Sequence, residues 1–271
     1  MVEFRVVGTG VSRLRTDKKS TLIITSNARR HLYFASKIIQ HFDSALIILE
    51  SKRDYYKQQI NQSSVIKKHF ENLAHSDSLL YGPVPPFPSH VQIFNTDNIN
   101  SQKSFSRGSE GHFDVVCLFG TSILNNRWID FYKDRIINLH LGLSPFYKGS
   151  ATLFWPFVNE ELEYLGTTIH LAEEKVDSGK ILKRISPVLQ RGDNYYGITS
   201  KLVKNSIDIF PTIVTGFLSG LYKPIQQEPI VGRFYRKRDF NEEQLLKALA
   251  FVGDGLTVSQ LRVVEDKLAC V

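Results

Sequence analysis

Apolar residues along the first half of this chain come in short bursts separated by polar stretches of helical period. Thr21–Thr25 is β-branched and bounded by Ser-Asn, the make-up of a buried strand. Ala28–Phe42 then carries Leu32, Ala35, Ile38, Ile39 and Phe42 at intervals of three and four, one face of an amphipathic helix. Ala45–Leu49 is a second continuous apolar run, closing on Glu50. Strand, helix and strand within about 30 residues form a βαβ unit and predict a parallel sheet. Tyr55–Leu80 reads as a polar helix. The proline-rich stretch from Gly82 to Pro88 can be neither a helix interior nor a central strand.

Further strands are expected at Val91–Phe94, Asp114–Phe119, Ile136–Leu141 and Thr167–Leu171, with a helix through Thr152–Asn159. Tyr195–Leu221 predicts a long helix with Ile198, Leu202, Ile209, Ile213 and Phe217 on its apolar face, kinked at Pro211. A strand pair at Ile225–Glu228 and Gly232–Arg236 and a helix near Glu242–Val252 follow, and no internal repeat is present. The pattern as a whole is α/β: a Rossmann-like, mainly parallel sheet over residues 21–190. Residues 1–20 read as a tail or extra strand, and 191–271 as a smaller extension of helix and β-hairpin. Open α/β sheets bind ligands beyond the carboxyl ends of their strands, and His140 falls at such an end.

Composition narrows the class. At 271 residues and 42% hydrophobic content the chain can bury one large core. Its longest apolar runs fall far short of the roughly 20 residues of a membrane helix, so no membrane span is expected. The N-terminus has no apolar core of a secretory signal, and two cysteines, Cys117 and Cys270, make no disulfide framework. Cytoplasm is the expected location. The net charge of +7 is dispersed, and its densest run, Arg233 to Arg238, is short. That favours attraction of a phosphate-bearing small molecule over nucleic-acid binding.

One stretch carries chemistry, Ile137 to Leu182. Asn138 and His140 are two apart on a predicted strand, so they share a face and present an amide donor beside an acid–base group. Ser144-Pro145, Tyr147-Lys148-Gly149, Gly166-Thr167-Thr168 and a lone acid, Asp177, in Val-Asp-Ser-Gly follow in order. Such a set suits a reaction passing through a tetrahedral oxyanion. An isolated Asn-x-His is more often a satisfied polar cluster than a catalytic pair; the ordered set is what points to catalysis. His170 fits a buried structural role and a substrate-side role equally. His31, His41, His69, His75, His90 and His112 lack metal-ligand spacing, and no metal is expected.

The ordered set resembles the formyltransferases that draw their one-carbon unit from 10-formyltetrahydrofolate. The resemblance spans roughly residues 20–190, clearest in the second half. It implies the formyltransferase fold, with Asn138 donating to the formyl oxygen, His140 stabilising the oxyanion and moving a proton, and Asp177 fixing the imidazole and accepting the amine's proton. It also implies a cis Ser144–Pro145 bond. The folate slot would be built from Gly120, Ile123 and Leu124 on one loop and Val176 on another; simple core packing is the competing reading of these three side chains.

For the acceptor, the loop after the first strand, Ser26 to His31, lacks the glycines with which glycinamide ribonucleotide enzymes grip phosphate. The C-terminal part reads as too short and too helical for the module of the tRNA enzymes, and residues 1–20 as too short for the regulatory domain of the formyl-folate hydrolases. The Gly149 to Trp155 stretch and the Phe234 to Phe240 stretch resemble the amino-sugar N-formyltransferases. The implied acceptor is a nucleotide-linked amino-dideoxy sugar, with Tyr147, Lys148 and Trp155 as substrate-binding candidates. Another small amine, formyl-folate hydrolysis, or a non-catalytic folate or nucleotide binding module remain open alternatives. The C-terminal strand pair could also pair across a two-fold axis to make a homodimer.

Overall fold

The computed structural model describes residues 19–51, 61 and 63–269. The expected N-terminal tail or strand, the start of the Tyr55–Leu80 helix and Cys270 therefore lie outside the described residues, wholly or nearly so.

The alternating βα pattern produces one seven-stranded sheet. In chain order its strands are β1 (Ser20–Ser26), β2 (Ser44–Glu50), β3 (Gln92–Thr96), β4 (Val115–Leu118), β5 (Ile136–His140), β7 (Thr167–Leu171) and β8 (Ile181–Ile185). Their spatial order is β3-β2-β1-β4-β5-β7-β8. The pairs from β3 through β5 are parallel, whereas β5–β7 and β7–β8 are antiparallel. From β1 the chain first builds outward to β2 and β3, then returns to add β4 and β5 on the other side. The strand order therefore reverses between β1 and β4, where open α/β sheets place their ligands.

Strand composition follows from this layering. Ile23, Ile47, Cys117, Ile137 and Leu139 belong to one buried cluster, and their neighbours Leu22, Ile24, Leu46, Ile48, Val116, Leu118 and Ile136 to another. Alternate residues point to opposite faces, and both faces are covered. That is why these strands read as unbroken apolar runs instead of alternating ones. On the first face lie α1 (Arg29–Ile38), α2 (Ser64–Tyr81) and α6 (Tyr195–Leu218), whose Phe34, Ile66 and Phe210 are buried there. On the second lie α3 (Gln102–Ser109) and α4 (Asn126–Phe131), with Trp128 fully buried. Helix α6 begins at Asn194, whose side chain accepts the Gly197 N–H, and runs as one helix through Pro211. No helix among the described residues is long and apolar enough to cross a membrane.

The C-terminal region departs from the expected hairpin. Ile225 makes only an isolated antiparallel bridge to Ile181. Strand β9 (Arg233–Tyr235) pairs in parallel with β6 (Tyr147–Gly149), not with its sequence neighbour. Pro229 lies between the two segments and has no N–H to give to a ladder. Two glycines permit the alternative: a Cβ on Gly149 would lie 2.1 Å from Tyr235 O, and one on Gly232 1.7 Å from Pro145 O. Beyond β9, α7 (Glu242–Val252) buries Leu245, Ala248 and Val252 in the first cluster, and α8 (Val258–Ala269) follows. Strand β8 escaped the sequence pattern because Ile-Leu-Lys-Arg-Ile is the charged composition that protects a sheet edge. Helix α5 (Trp155–Val158) is much shorter than the helix expected over Thr152–Asn159.

Phe210 is fully buried, whereas Val231 is 99% exposed. Phe210→Ala is expected to lower unfolding free energy by about 3–5 kcal/mol in a urea titration. Val231→Ala should change it by no more than about 0.5 kcal/mol.

Candidate active site

Asn138 and His140 alternate along β5 and so present both side chains to one face at its carboxyl end. Antiparallel β7 lies beside them in a register that sets Asn138 opposite His170 and His140 opposite Thr168. Cross-strand partners share a face, and these interact. Asn138 Nδ2 is 3.1 Å from His170 Nε2. Thr168 Oγ1 donates to Gly142 O at 2.7 Å and accepts the Ser144 N–H at 2.9 Å, which pins the turn leaving β5. The Ser144–Pro145 peptide in that turn is cis, as the resemblance implied.

The loop between β7 and β8 returns Asp177 to this face. Its Oδ1 lies 3.3 Å from His140 Nδ1 and 3.7 Å from His170 Nε2, and its Oδ2 accepts the Gly149 N–H at 3.0 Å. Asp177 has a φ of 53°, the left-handed region that Asp tolerates better than most residues. Two residues on, a Cβ at Gly179 would lie 1.9 Å from Leu171 O, so the turn closes only with glycine there.

Hydrogen-bond geometry constrains the protons. His170 Nδ1 donates to Leu171 O at 2.7 Å, so in the neutral ring Nε2 accepts from Asn138 Nδ2. That spends one amide hydrogen of Asn138 and leaves the second for a ligand oxygen. His140 sits between two acceptors, Tyr147 O at 2.9 Å from Nε2 and the Asp177 carboxylate. A neutral imidazole satisfies one of them; a doubly protonated one satisfies both. Burial pulls the His140 pKa down, Asp177 pulls it up, and the net position is below the ordinary value. For Asp177, burial works to raise the pKa. The His140 and His170 rings and the Gly149 amide outweigh it and hold the carboxyl well below its usual range.

These groups line a cavity of about 810 Å³, within the size range of small-molecule sites. Its apolar walls include Leu118, Leu124, Ile129, Ala172 and Val176, beside a rim from Gly120 to Ile123. The expected folate-slot residues Gly120, Ile123, Leu124 and Val176 all border it. The rim is held from behind by Glu50, whose carboxylate accepts the Ser122 N–H at 2.7 Å and the Ile99 N–H at 3.0 Å. Sequence reading ended β2 at Glu50 without giving it a task; a buried carboxylate closing an apolar strand was the available signal. His69, Phe70, Tyr195 and Phe240, whose rings pack on one another, also border the cavity, as do Phe234, Tyr235, Arg236 and Lys237.

Tyr147, Lys148 and Trp155, the substrate-binding candidates, are not brought to the wall of this cavity. Tyr147 is buried, its hydroxyl donating to Glu161 at 2.5 Å, and the Trp155 ring is covered by Tyr235 stacked at 4.1 Å. Lys148 Nζ donates to Ser178 Oγ at 3.3 Å on the far side of the Asp177 turn. The stack of Trp155, Tyr235 and Tyr147 instead holds β9 in place, so the cavity wall comes from β9 and the 3₁₀ turn Lys237–Asp239 after it. The basic run was visible in the sequence; its arrival at the cavity depends on the β6–β9 pairing. Among the described residues no group of three or more His, Cys, Asp or Glu could hold a metal ion.

A family model described as formyl transferase matches residues 24–214. Phosphoribosylglycinamide formyltransferase of Escherichia coli (strain K12) is 29% identical over 111 residues, 41% of this chain and 52% of that protein. The chain spans about half the length of such curated relatives, or less. A sugar N-formyltransferase from Shewanella sp FDAARGOS_354 aligns with a TM-score of 0.57 at 16% identity, covering 86% of this chain and 88% of that one. WlaRD, a sugar 3N-formyl transferase solved in the presence of dTDP and 5-N-formyl-THF, aligns with a TM-score of 0.54 at 19% identity, covering 87% and 80%. At these identities the likeness is one of fold.

Two outcomes are expected from this geometry. Glu50→Gln replaces one of two accepting oxygens with an NH₂ group facing an amide donor, and should cost about 1–3 kcal/mol in urea unfolding. A lowered carboxyl pKa contributes stability that is fully present above the unfolded value of about 3.9 and lost as pH falls through the native one. The stability difference between the wild type and Asp177→Asn should therefore shift against the wild type as pH falls below about 4.

Proposed function

The chain belongs to the formyl transferase family, and we propose that it moves a formyl group from 10-formyltetrahydrofolate to the amino group of a nucleotide-linked amino sugar. The observation that carries this reading is the meeting of Asn138, His140 and Asp177 at one wall of a cavity large enough for both reactants. The apolar walls with their backbone rim fit a flat pterin that needs a greasy slot edged by hydrogen-bonding groups. Bound there, the folate supplies an activated formyl carbon on a nitrogen that can leave.

The chain's own residues do the rest. Asn138, oriented by His170, donates its second N–H to the formyl oxygen as negative charge develops on it. His140, held between Tyr147 O and the Asp177 carboxylate, passes a proton. Asp177, ionised well below neutral pH, receives the proton of the attacking amine directly or through water. A new carbon–nitrogen bond forms to the acceptor, the bond to the folate nitrogen breaks, and the amine's proton ends on that nitrogen. Charge balances throughout.

The rest of the cavity lining supports the acceptor class. Arg236 and Lys237 give it cationic character suited to a diphosphate, and the aromatic walls suit a planar base. The loop after β1 supports a departure from the glycinamide ribonucleotide mode: it has no glycine, and Ser26 Oγ and His31 Nδ1 bond to each other at 2.7 Å.

Purified protein with 10-formyltetrahydrofolate and a panel of nucleotide-linked amino sugars plus glycinamide ribonucleotide tests the reading. Formylated sugar supports it; formate release without acceptor, or transfer only to the ribonucleotide, defeats it. His140→Ala should lower kcat by about 10²–10⁴-fold with folate affinity within a few-fold. Arg236→Ala with Lys237→Ala should raise KM for the acceptor about tenfold or more and leave KM for the folate unchanged, as read from initial rates.

A further inference from the structure

Gln227 lies outside the family-matched segment, on the stretch between α6 and β9. Its side-chain nitrogen donates to two main-chain carbonyls, Asp177 O at 3.0 Å and Gly179 O at 2.8 Å. Only the NH₂ end of an amide can meet two carbonyl oxygens, so the orientation is settled by chemistry. Both hydrogens are spent on the turn that carries Asp177. The other end, Oε1, is buried without a hydrogen-bond partner among the described residues. Such an orphan costs stability, and here it accompanies a group whose whole donor capacity goes to one turn.

That turn needs support. Asp177 sits at a φ of 53°, a region L-residues leave unless surrounding contacts over-determine them. The same C-terminal stretch also reaches the Asp177 side chain, because β9 pairs with β6 and Gly149 of β6 donates to Asp177 Oδ2. Asp177 is therefore held at its carboxylate by Gly149 and at its backbone by Gln227. Facing the carboxylate are His140 from β5, His170 from β7 and Lys148 from β6.

We infer that Gln227 is a positioning residue: by tying together the carbonyls of Asp177 and Gly179 it sets the backbone that aims the Asp177 carboxylate at His140. The consequence for rate rests on the formyl-transfer reading; the geometric claim does not. A misplacement of about 1 Å far from the chemistry can cost about 10²-fold in rate.

Gln227→Met keeps the length and removes both donors. The expected result is a fall in kcat of about ten- to a hundredfold with both KM values within about threefold. In addition, the His140 ring titration, followed by NMR, should move to lower pH because the carboxylate no longer stays beside it. Ile225→Pro is the control: it deletes the amide that bonds Ile181 O at 2.8 Å, loosening the same stretch without touching the Asp177 turn. It should leave the His140 titration as in the wild type. An unchanged titration or an unchanged kcat in Gln227→Met overturns the inference, as does the same titration shift in Ile225→Pro. Should Gln227→Met not fold, Gln227→Asn, too short to reach both carbonyls, takes its place, and loss of folding in both makes Gln227 structural and overturns it too. If the wild type transfers no formyl group, the functional reading fails, while the titration still judges the positioning claim.

Discussion

Burying the Asp177 carboxylate is the constraint around which this molecule is arranged. An ionised carboxylate taken out of water is strongly unfavourable unless nearby charges and donors replace its hydration. Here they come from widely separated parts of the chain: His140 on β5, His170 on β7 and the Gly149 amide on β6. None of these contacts forms unless the sheet is already assembled in the right register. The site is thus a consequence of the fold and also a test of it, because a one-residue slip of β7 would turn His170 to the other face.

The sheet order explains why this end of the molecule is the reactive one. Strands β1 and β4 part company where the winding reverses, and the loops leaving β1 and β4 and the end of β5 open into a common cavity. Rigid parallel strands aim the side chains, while the loops supply shape. Glu50 ties two loops together by accepting the Ile99 and Ser122 N–H groups, and glycines at 149 and 179 let others pass at distances no Cβ would permit. Another part of the wall is finished by β9, wedged in place by the stacked Trp155, Tyr235 and Tyr147 rings.

Much of this could be read from residue order. Six of the seven sheet strands announced themselves by apolar runs, and Asn138, His140 and Asp177 were legible because their types and order form a chemical set. The resemblance pointed to Gly120, Ile123, Leu124 and Val176, which border the same cavity. What escaped shares a physical cause. Strand β8 is a charged edge, β6 is three residues long, the expected strand at Gly232–Arg236 carries no mark of its partner, and Tyr147 and Trp155 look alike in sequence whether they face a ligand or a neighbouring ring.

By itself, then, the sequence determined the α/β class, the positions of the main strands and helices, and the ordered polar set Asn138, His140 and Asp177 that the fold brings together. These depend on local periodicity and on chemistry carried by single side chains. Only the tertiary structure decided that β9 pairs with β6 instead of with its neighbour, that His170 orients Asn138, that Arg236 and Lys237 reach the cavity, and that Gln227 grips the Asp177 turn. Each of these is a contact between residues far apart in the chain, settled by which backbones can approach closely and which buried polar groups must find partners, and neither condition leaves a periodic mark in the sequence.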